Sequence, residues 1–201
     1  MLVPFFYFMD MIFHVINLAH RGDRWQSFVD HAGDKGIPYV RFNAIVPSGA
    51  DLEGWSHSKG LLGCNLSHKT LWKQFLESDE ELLGVLEDDA RLVKHWRGDL
   101  PDDFDILYLG ANATTYRQYN NTDYKQWKVA RRVLTTHAYI MSRKGAEKAL
   151  QSPIDTEAVD VALWEVQKYN KSYYYSPSLF IQNPDYSDIL NQQVNYSGMI
   201  C

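Results

Sequence analysis

Gly84-Val85-Leu86-Glu87-Asp88-Asp89-Ala90 is a short apolar run that ends in three consecutive carboxylates. Val85 and Leu86 suit a buried strand, whereas Glu87, Asp88 and Asp89 stay ionised away from water only beside a cation or strong hydrogen-bond donors. Ligands of open α/β sheets sit beyond the carboxyl ends of the strands. Ligand sets made of oxygen alone suit hard ions such as magnesium or manganese. The run therefore predicts a divalent-metal site at the end of a buried strand. Successive strand residues point to opposite faces, so Asp88 and Asp89 share an ion only if the chain turns there. Acids that cap the next segment, or are simply solvated, are the competing interpretation.

On either side, strand and helix signals alternate. Ile12 to Leu18 is a β-branched, apolar first strand. Asp23 offers an N-cap to a helix carrying Trp25, Phe28, Val29 and Ala32 on one face, with Gly33 as its stop. Tyr39 to Ile45 predicts a second strand, and Pro47 to Gly60 a loop. A helix with Leu71, Trp72, Phe75 and Leu76 on one face then leads into the acidic run. Beyond it, Phe104 to Leu109 and Thr136 to Met141 predict strands, and Ala111 to Lys128 a long polar loop. Ser142 caps a helix to Leu150, and Thr156 to Tyr169 forms one further helix with Val159, Leu163 and Val166 inward. Tyr173 to Tyr175 and Leu179 to Ile181 predict edge strands.

The chain has 201 residues, 45% of them hydrophobic and 14% aromatic, which suits one globular domain over residues 1–201 with an apolar leader (1–10) and a polar, irregular tail (183–201). Its 20 Lys and Arg against 25 Asp and Glu give a net charge of -5, so no global field draws in a polyanion. The basic group Lys125, Lys128, Arg131 and Arg132 is too small to alter that, and reads as a solvated patch. Two cysteines, Cys64 and Cys201, give no disulfide framework and fit a reducing compartment. The leader lacks a basic start and a small-residue cleavage site and is too short to span a bilayer. The expected location is cytoplasmic, with at most peripheral contact with the inner membrane. Asn-x-Ser/Thr triplets at Asn65, Asn112, Asn120, Asn170 and Asn195 then carry no meaning.

Other groups gather near predicted strand ends and helix starts. The glycines of Gly60 to His68 would let backbone N–H groups approach an anion before a helix, with Ser67 and His68 as added donors. A packed core His68 is the plainer alternative. Arg21 and Arg24 follow the first strand, where nucleotides dock in α/β folds. Asp155, Glu157 and Asp160 surround a helix start, where acids also serve as caps.

In order along the chain, these segments resemble glycosyltransferase family 25, which includes bacterial lipooligosaccharide galactosyltransferases and relatives of the collagen hydroxylysine galactosyltransferases. The matching pieces are Val15 to Leu18, Arg21 to Arg24, Arg41 to Ala44, Gly60 to Gly63, Cys64 with Leu66-Ser67-His68, Leu86 to Asp89, Phe104 to Gly110 and His137 to Ala146. The resemblance implies an α/β fold of GT-A type, with a mixed, mostly parallel sheet flanked by helices. It implies metal-dependent transfer of galactose or glucose, with inversion, from UDP-galactose or UDP-glucose to a glycan or glycoconjugate hydroxyl. The family's acidic motif falls on Glu87, Asp88 and Asp89, with Glu in place of the first Asp of the usual Asp-x-Asp. By this resemblance Glu87 and Asp89 hold the metal, manganese or else magnesium. Asn17, Arg21, Arg24, Gly63, Ser67, His68 and Asp88 line the donor. Asp160 is the catalytic base, with Asp155 and Glu157 competing for that role. A modified nucleobase as acceptor, or a non-catalytic carbohydrate-binding module, are the alternatives. Phosphoester hydrolysis is disfavoured because no His-x-Asp cluster supplies a second ion. The polar stretch 111–128 departs from the family, and its tyrosines and Trp127 are candidates to stack on a sugar.

Overall fold

In the computed structural model, residues 11–96, 100–113, 127–187 and 192–194 are described. Strands β1 (Phe13–Asn17), β2 (Tyr39–Asn43), β3 (Leu82–Glu87), β5 (Ile106–Ala113), β6 (Trp127–Val129), β7 (Val133–Ser142) and β8 (Ser172–Tyr175) form one seven-stranded sheet in the order β2-β1-β3-β7-β5-β8-β6. β1 pairs in parallel with both β2 and β3, and β5 with β8, while β7 and β6 run antiparallel to their neighbours. β4 (Ala90–Leu92) and β9 (Phe180–Gln182) form a short antiparallel ladder. The fold is mixed α/β, with most sheet strands pointing one way, as expected.

Helices cover both faces. α1 (Gly22–Lys35) packs Phe28 and Ala32 against one, with Trp25, Phe28 and Tyr39 in mutual ring contact. α2 (Lys59–Glu77) buries Leu71, Trp72 and Phe75 on the other, beside α3 (Arg143–Leu150), α4 (Val159–Ala162) and α5 (Trp164–Gln167). β3 serves both cores, since Leu83 and Val85 join the α2 side and Leu86 the α1 side. Arg143, opening α3, ends α2 by donating to the carbonyls of Phe75, Leu76, Ser78 and Glu80, which suits a cation at a helix C-terminus. No helix among the described residues is long and apolar enough to cross a membrane.

Several local expectations need correction. α1 ends at Gly36, whose φ of 63° closes the helix in the left-handed conformation, while Gly33 lies inside it. Asp23 sits in the first turn and Arg21 is the N-cap residue. Gly60 to His68 is the start of α2, capped by Ser58, and not a loop before a helix. Gly63 is required there because a Cβ would come within 2.7 Å of the Ile45 carbonyl oxygen. Ala111–Ala113 extend β5 and Trp127–Val129 form β6, which makes β6 the sheet edge and places β8 inside it. Thr156 to Tyr169 holds two short helices, although Val159, Leu163 and Val166 are buried as expected. Part of the tail pairs as a hairpin of β10 (Asp185–Ser187) and β11 (Gln192–Val194). The leader 1–10, Lys125 and the tyrosines of 114–126 lie outside the described residues.

Candidate functional site

The parallel strands β1 and β3 end side by side, Ile16 opposite Glu87, and the chain turns at Asp88-Asp89 before β4. Glu87 continues the face of Leu83 and Val85 and so meets α2. Asp88 continues the face of Leu86 and meets α1. One acidic run thus serves two sides of the sheet.

On the α1 side, Asn17 at the end of β1 is buried and donates from Nδ2 to Asp88 Oδ2 at 2.5 Å. Arg41 of β2 donates to Asn17 Oδ1. Arg24, in the first turn of α1, pairs with Asp88 and lies 3.4 Å from Asp89 Oδ2. Gln182 of β9 donates to the same Asp89 oxygen at 3.4 Å. Asp89 Oδ1 is buried with no hydrogen-bond partner among the described residues. Burial, then the neighbouring Glu87 charge, pushes the Asp89 carboxyl up to about 7, and burial also raises Asp88 against the pull of Arg24. An orphaned carboxylate oxygen at a strand end, beside a second acid, suits a hard cation. Asp89 Oδ1 therefore has the chemistry of a ligand to a divalent ion.

On the α2 side, Thr136 donates to Glu87 Oε1 at 2.8 Å, and His68 Nε2 lies 3.4 Å from the same oxygen. Trp72 Nε1 donates to the Tyr139 hydroxyl, which is 2.9 Å from His68 Nδ1. Since the ionised Glu87 carboxylate only accepts, His68 presents an Nε2 proton to it. Burial works to raise Glu87, but hydrogen bonds from His68 and Thr136 bring it below its ordinary value. Cys64, one turn before His68, completes a trio with His68 and Glu87 whose ligand atoms lie within 4.8 Å of one another. Within the trio His68 and Glu87 are hydrogen-bonded, with the Cys64 sulfur beside them. The Cys64 thiol is pushed well above its usual range by burial, then by the surrounding carboxylates.

Beyond Glu87 lies Asp160, in α4. Its Oδ2 accepts from the Thr135 backbone N–H at 3.3 Å, and its Oδ1 from the Val161 N–H. Consecutive residues of β7 therefore hold Glu87 and Asp160. The competitors for the base lie elsewhere. Asp155 is 73% exposed and bonded to Lys69 at 2.5 Å, and Glu157 is exposed, presenting only its carbonyl to Asn65.

Of the residues singled out from sequence, Asn17, Arg24, Asp88 and Asp89 converge directly, and Glu87 joins them to His68. Arg21 pairs with the exposed Asp23 at 2.8 Å. Ser67 is fully buried, donating to the Gly63 carbonyl and accepting from the Ile45 N–H. Trp127 packs on Tyr175. The residues missed were Thr135, Thr136, Tyr139 and Gln182. Their partners lie tens of residues away, so no local spacing marks them.

A family model described as glycosyltransferase family 25 (LPS biosynthesis protein) matches residues 10–163, well over half of the chain. A protein of Haemophilus influenzae described as a glycosyltransferase is 26% identical over 216 residues, taking in 90% of this chain and 76% of that one. The lacto-N-neotetraose biosynthesis glycosyltransferase LgtB of Neisseria meningitidis is 38% identical over 90 residues, 39% of this chain and 32% of the relative. Procollagen galactosyltransferase 1-B of Xenopus laevis is 26% identical over 176 residues, 69% of this chain and 28% of the relative. The chain thus spans about a third or less of the latter two proteins.

Proposed function

We propose that this chain, which belongs to glycosyltransferase family 25, moves galactose or glucose from a UDP-sugar to a hydroxyl of a glycan or glycoconjugate, by a metal-dependent single displacement with inversion. Membership of the family makes it an enzyme of the hexosyltransferase kind, and a procollagen galactosyltransferase is among the relatives it matches. The buried Oδ1 of Asp89, unpartnered among the described residues, is the observation that carries the metal dependence. The assignment to the GT-A type rests on the parallel β1, β2 and β3 delivering this motif at their carboxyl edge, followed by the reversed β7.

Glu87 and Asp89 would hold manganese, or else magnesium, whose charge would neutralise the departing diphosphate. Arg24 adds positive charge on the α1 side, where Asn17, Arg21 and Asp88 would contact the nucleotide. Gly63, Ser67 and His68 act from behind, fixing α2 against the loop after β2 and aiming Glu87. Asp160, half-buried and anchored through both oxygens, would take the proton of the acceptor hydroxyl as that oxygen attacks the anomeric carbon. The bond to the diphosphate oxygen breaks through an oxocarbenium-like transition state.

The test incubates the purified protein with UDP-galactose or UDP-glucose, manganese and a panel of mono- and oligosaccharides, followed by mass spectrometry. Hexose addition to an acceptor, lowered about 10²- to 10⁴-fold in Asp160→Asn with manganese-dependent UDP binding retained, is the expected result. Near-normal turnover in that variant would remove Asp160 from the role. Absence of transfer and of donor hydrolysis with every sugar would remove the transferase reading.

A further inference from the structure

β7 is irregular where it passes the site. Gly110 of β5 pairs with Ala138 and Asn112 with Leu134, so β7 takes four steps where β5 takes two. The extra residues lie in Thr135-Thr136-His137, a bulge of the kind that re-aims side chains beside functional sites. Within it, Thr135 has a φ of 72°, a left-handed conformation that a β-branched residue adopts only under strain. Three bonds hold it there. Its N–H donates to Asp160 Oδ2, its hydroxyl lies 3.1 Å from His137 Nδ1, and the next residue donates to Glu87. His137 is itself fixed, with Nε2 3.4 Å from the Phe180 carbonyl oxygen. Since a carbonyl only accepts, Nε2 carries the imidazole proton and Nδ1 receives the Thr135 hydroxyl proton. Gly110 makes room for this ring, because any Cβ there would collide with His137 and the Phe180 carbonyl.

We propose that the Thr135–His137 bulge is a strained clamp that sets the position of Asp160 relative to Glu87, with Thr135 as its positioning residue. It rests on the transferase reading for the role of Asp160. The clamp couples the two carboxylates through adjacent residues, so a change in the backbone at Thr135 moves one acid relative to the other. Strain at this point is sustained because both flanking acids and His137 over-determine the conformation.

Two measurements test it. The first is urea unfolding of Thr135→Gly and Thr135→Ala, which both lack the hydroxyl and differ in the Cβ that a positive φ penalises. In an ordinary strand Ala is the more stable of the pair, whereas at a left-handed position Gly is. A higher midpoint for Gly supports the strained clamp, and a higher midpoint for Ala overturns it, whether or not the protein transfers a sugar. The second compares turnover of UDP-galactose with manganese-dependent UDP binding. Thr135→Gly, with its backbone loosened, is expected to lose about tenfold or more in kcat, since small misplacements of reacting groups are costly. Its donor KM and UDP affinity stay within about twofold of the wild type, the split expected when only a transition-state interaction is lost. Thr135→Ser, which keeps the hydroxyl, restores turnover. Unchanged kcat in Thr135→Gly, or parallel loss of UDP binding and turnover, overturns the positioning role. Failure of wild-type protein to bind UDP with metal would instead strike the transferase reading, and the unfolding comparison would then decide whether the clamp is strained.

Discussion

Replacing Asp89 with Asn, in metal-free buffer containing EDTA, should make the protein more resistant to unfolding at neutral pH. In the fold the Asp89 carboxyl is raised from 3.8 to about 7, first by burial and then by the charge of Glu87. Its side chain is only 14% exposed, so solvent screening is slight. Below pH about 4 the group is protonated both folded and unfolded, and stability does not feel it. Between pH about 4 and about 7 the unfolded chain releases its proton while the fold retains it, so wild-type stability falls as pH rises. The span is about three pH units, and the full penalty above pH 7 is about 2 to 4 kcal/mol. Asn has no proton to lose, so Asp89→Asn removes this slope and overtakes the wild type as pH rises. Urea unfolding at pH 4.5, 6 and 7.5 measures it. Manganese reverses the order, stabilising the wild type above pH 7 and leaving the variant unmoved. A variant with the same pH slope as the wild type would refute burial and charge as the causes of the shift at Asp89.

Two further substitutions probe the frame around the acids. Gly63→Ala places a methyl 2.7 Å from the Ile45 carbonyl oxygen, and such crowding in a well-packed site costs about 1 to 3 kcal/mol, readable as a lowered urea midpoint. Tyr139→Phe leaves the Trp72 N–H and His68 Nδ1 without their partner, at a cost of about 1 to 3 kcal/mol; an unchanged midpoint would show that the chain from Trp72 to Glu87 does not hold.

Much of this site was legible because it depends on local rules. The apolar lead-in of Val85 and Leu86 marked a buried strand, period-two alternation required the turn at Asp88-Asp89, and amphipathic spacing placed Trp72 and Phe75 inward. Close approach between distant segments was not legible. Gly63 looked like part of a phosphate-binding loop because glycine serves both purposes, and only the nearness of Ile45 shows why this helix needs one. Thr135 was invisible because a bulge belongs to two strands at once, being set by the register of β7 against β5. The edge strand was misplaced for the same reason, since Trp127–Val129 pairs outside β8 from within a polar stretch that carries no strand signal.

Whether Glu87 and Asp89 build a metal-dependent donor site is decided by calorimetric titration of UDP into the protein, with and without manganese, on the wild type and on Asp89→Ala. Binding that requires manganese in the wild type and vanishes in Asp89→Ala at equal metal is the predicted result. UDP binding of equal strength without metal, or retained in Asp89→Ala, would contradict such a site.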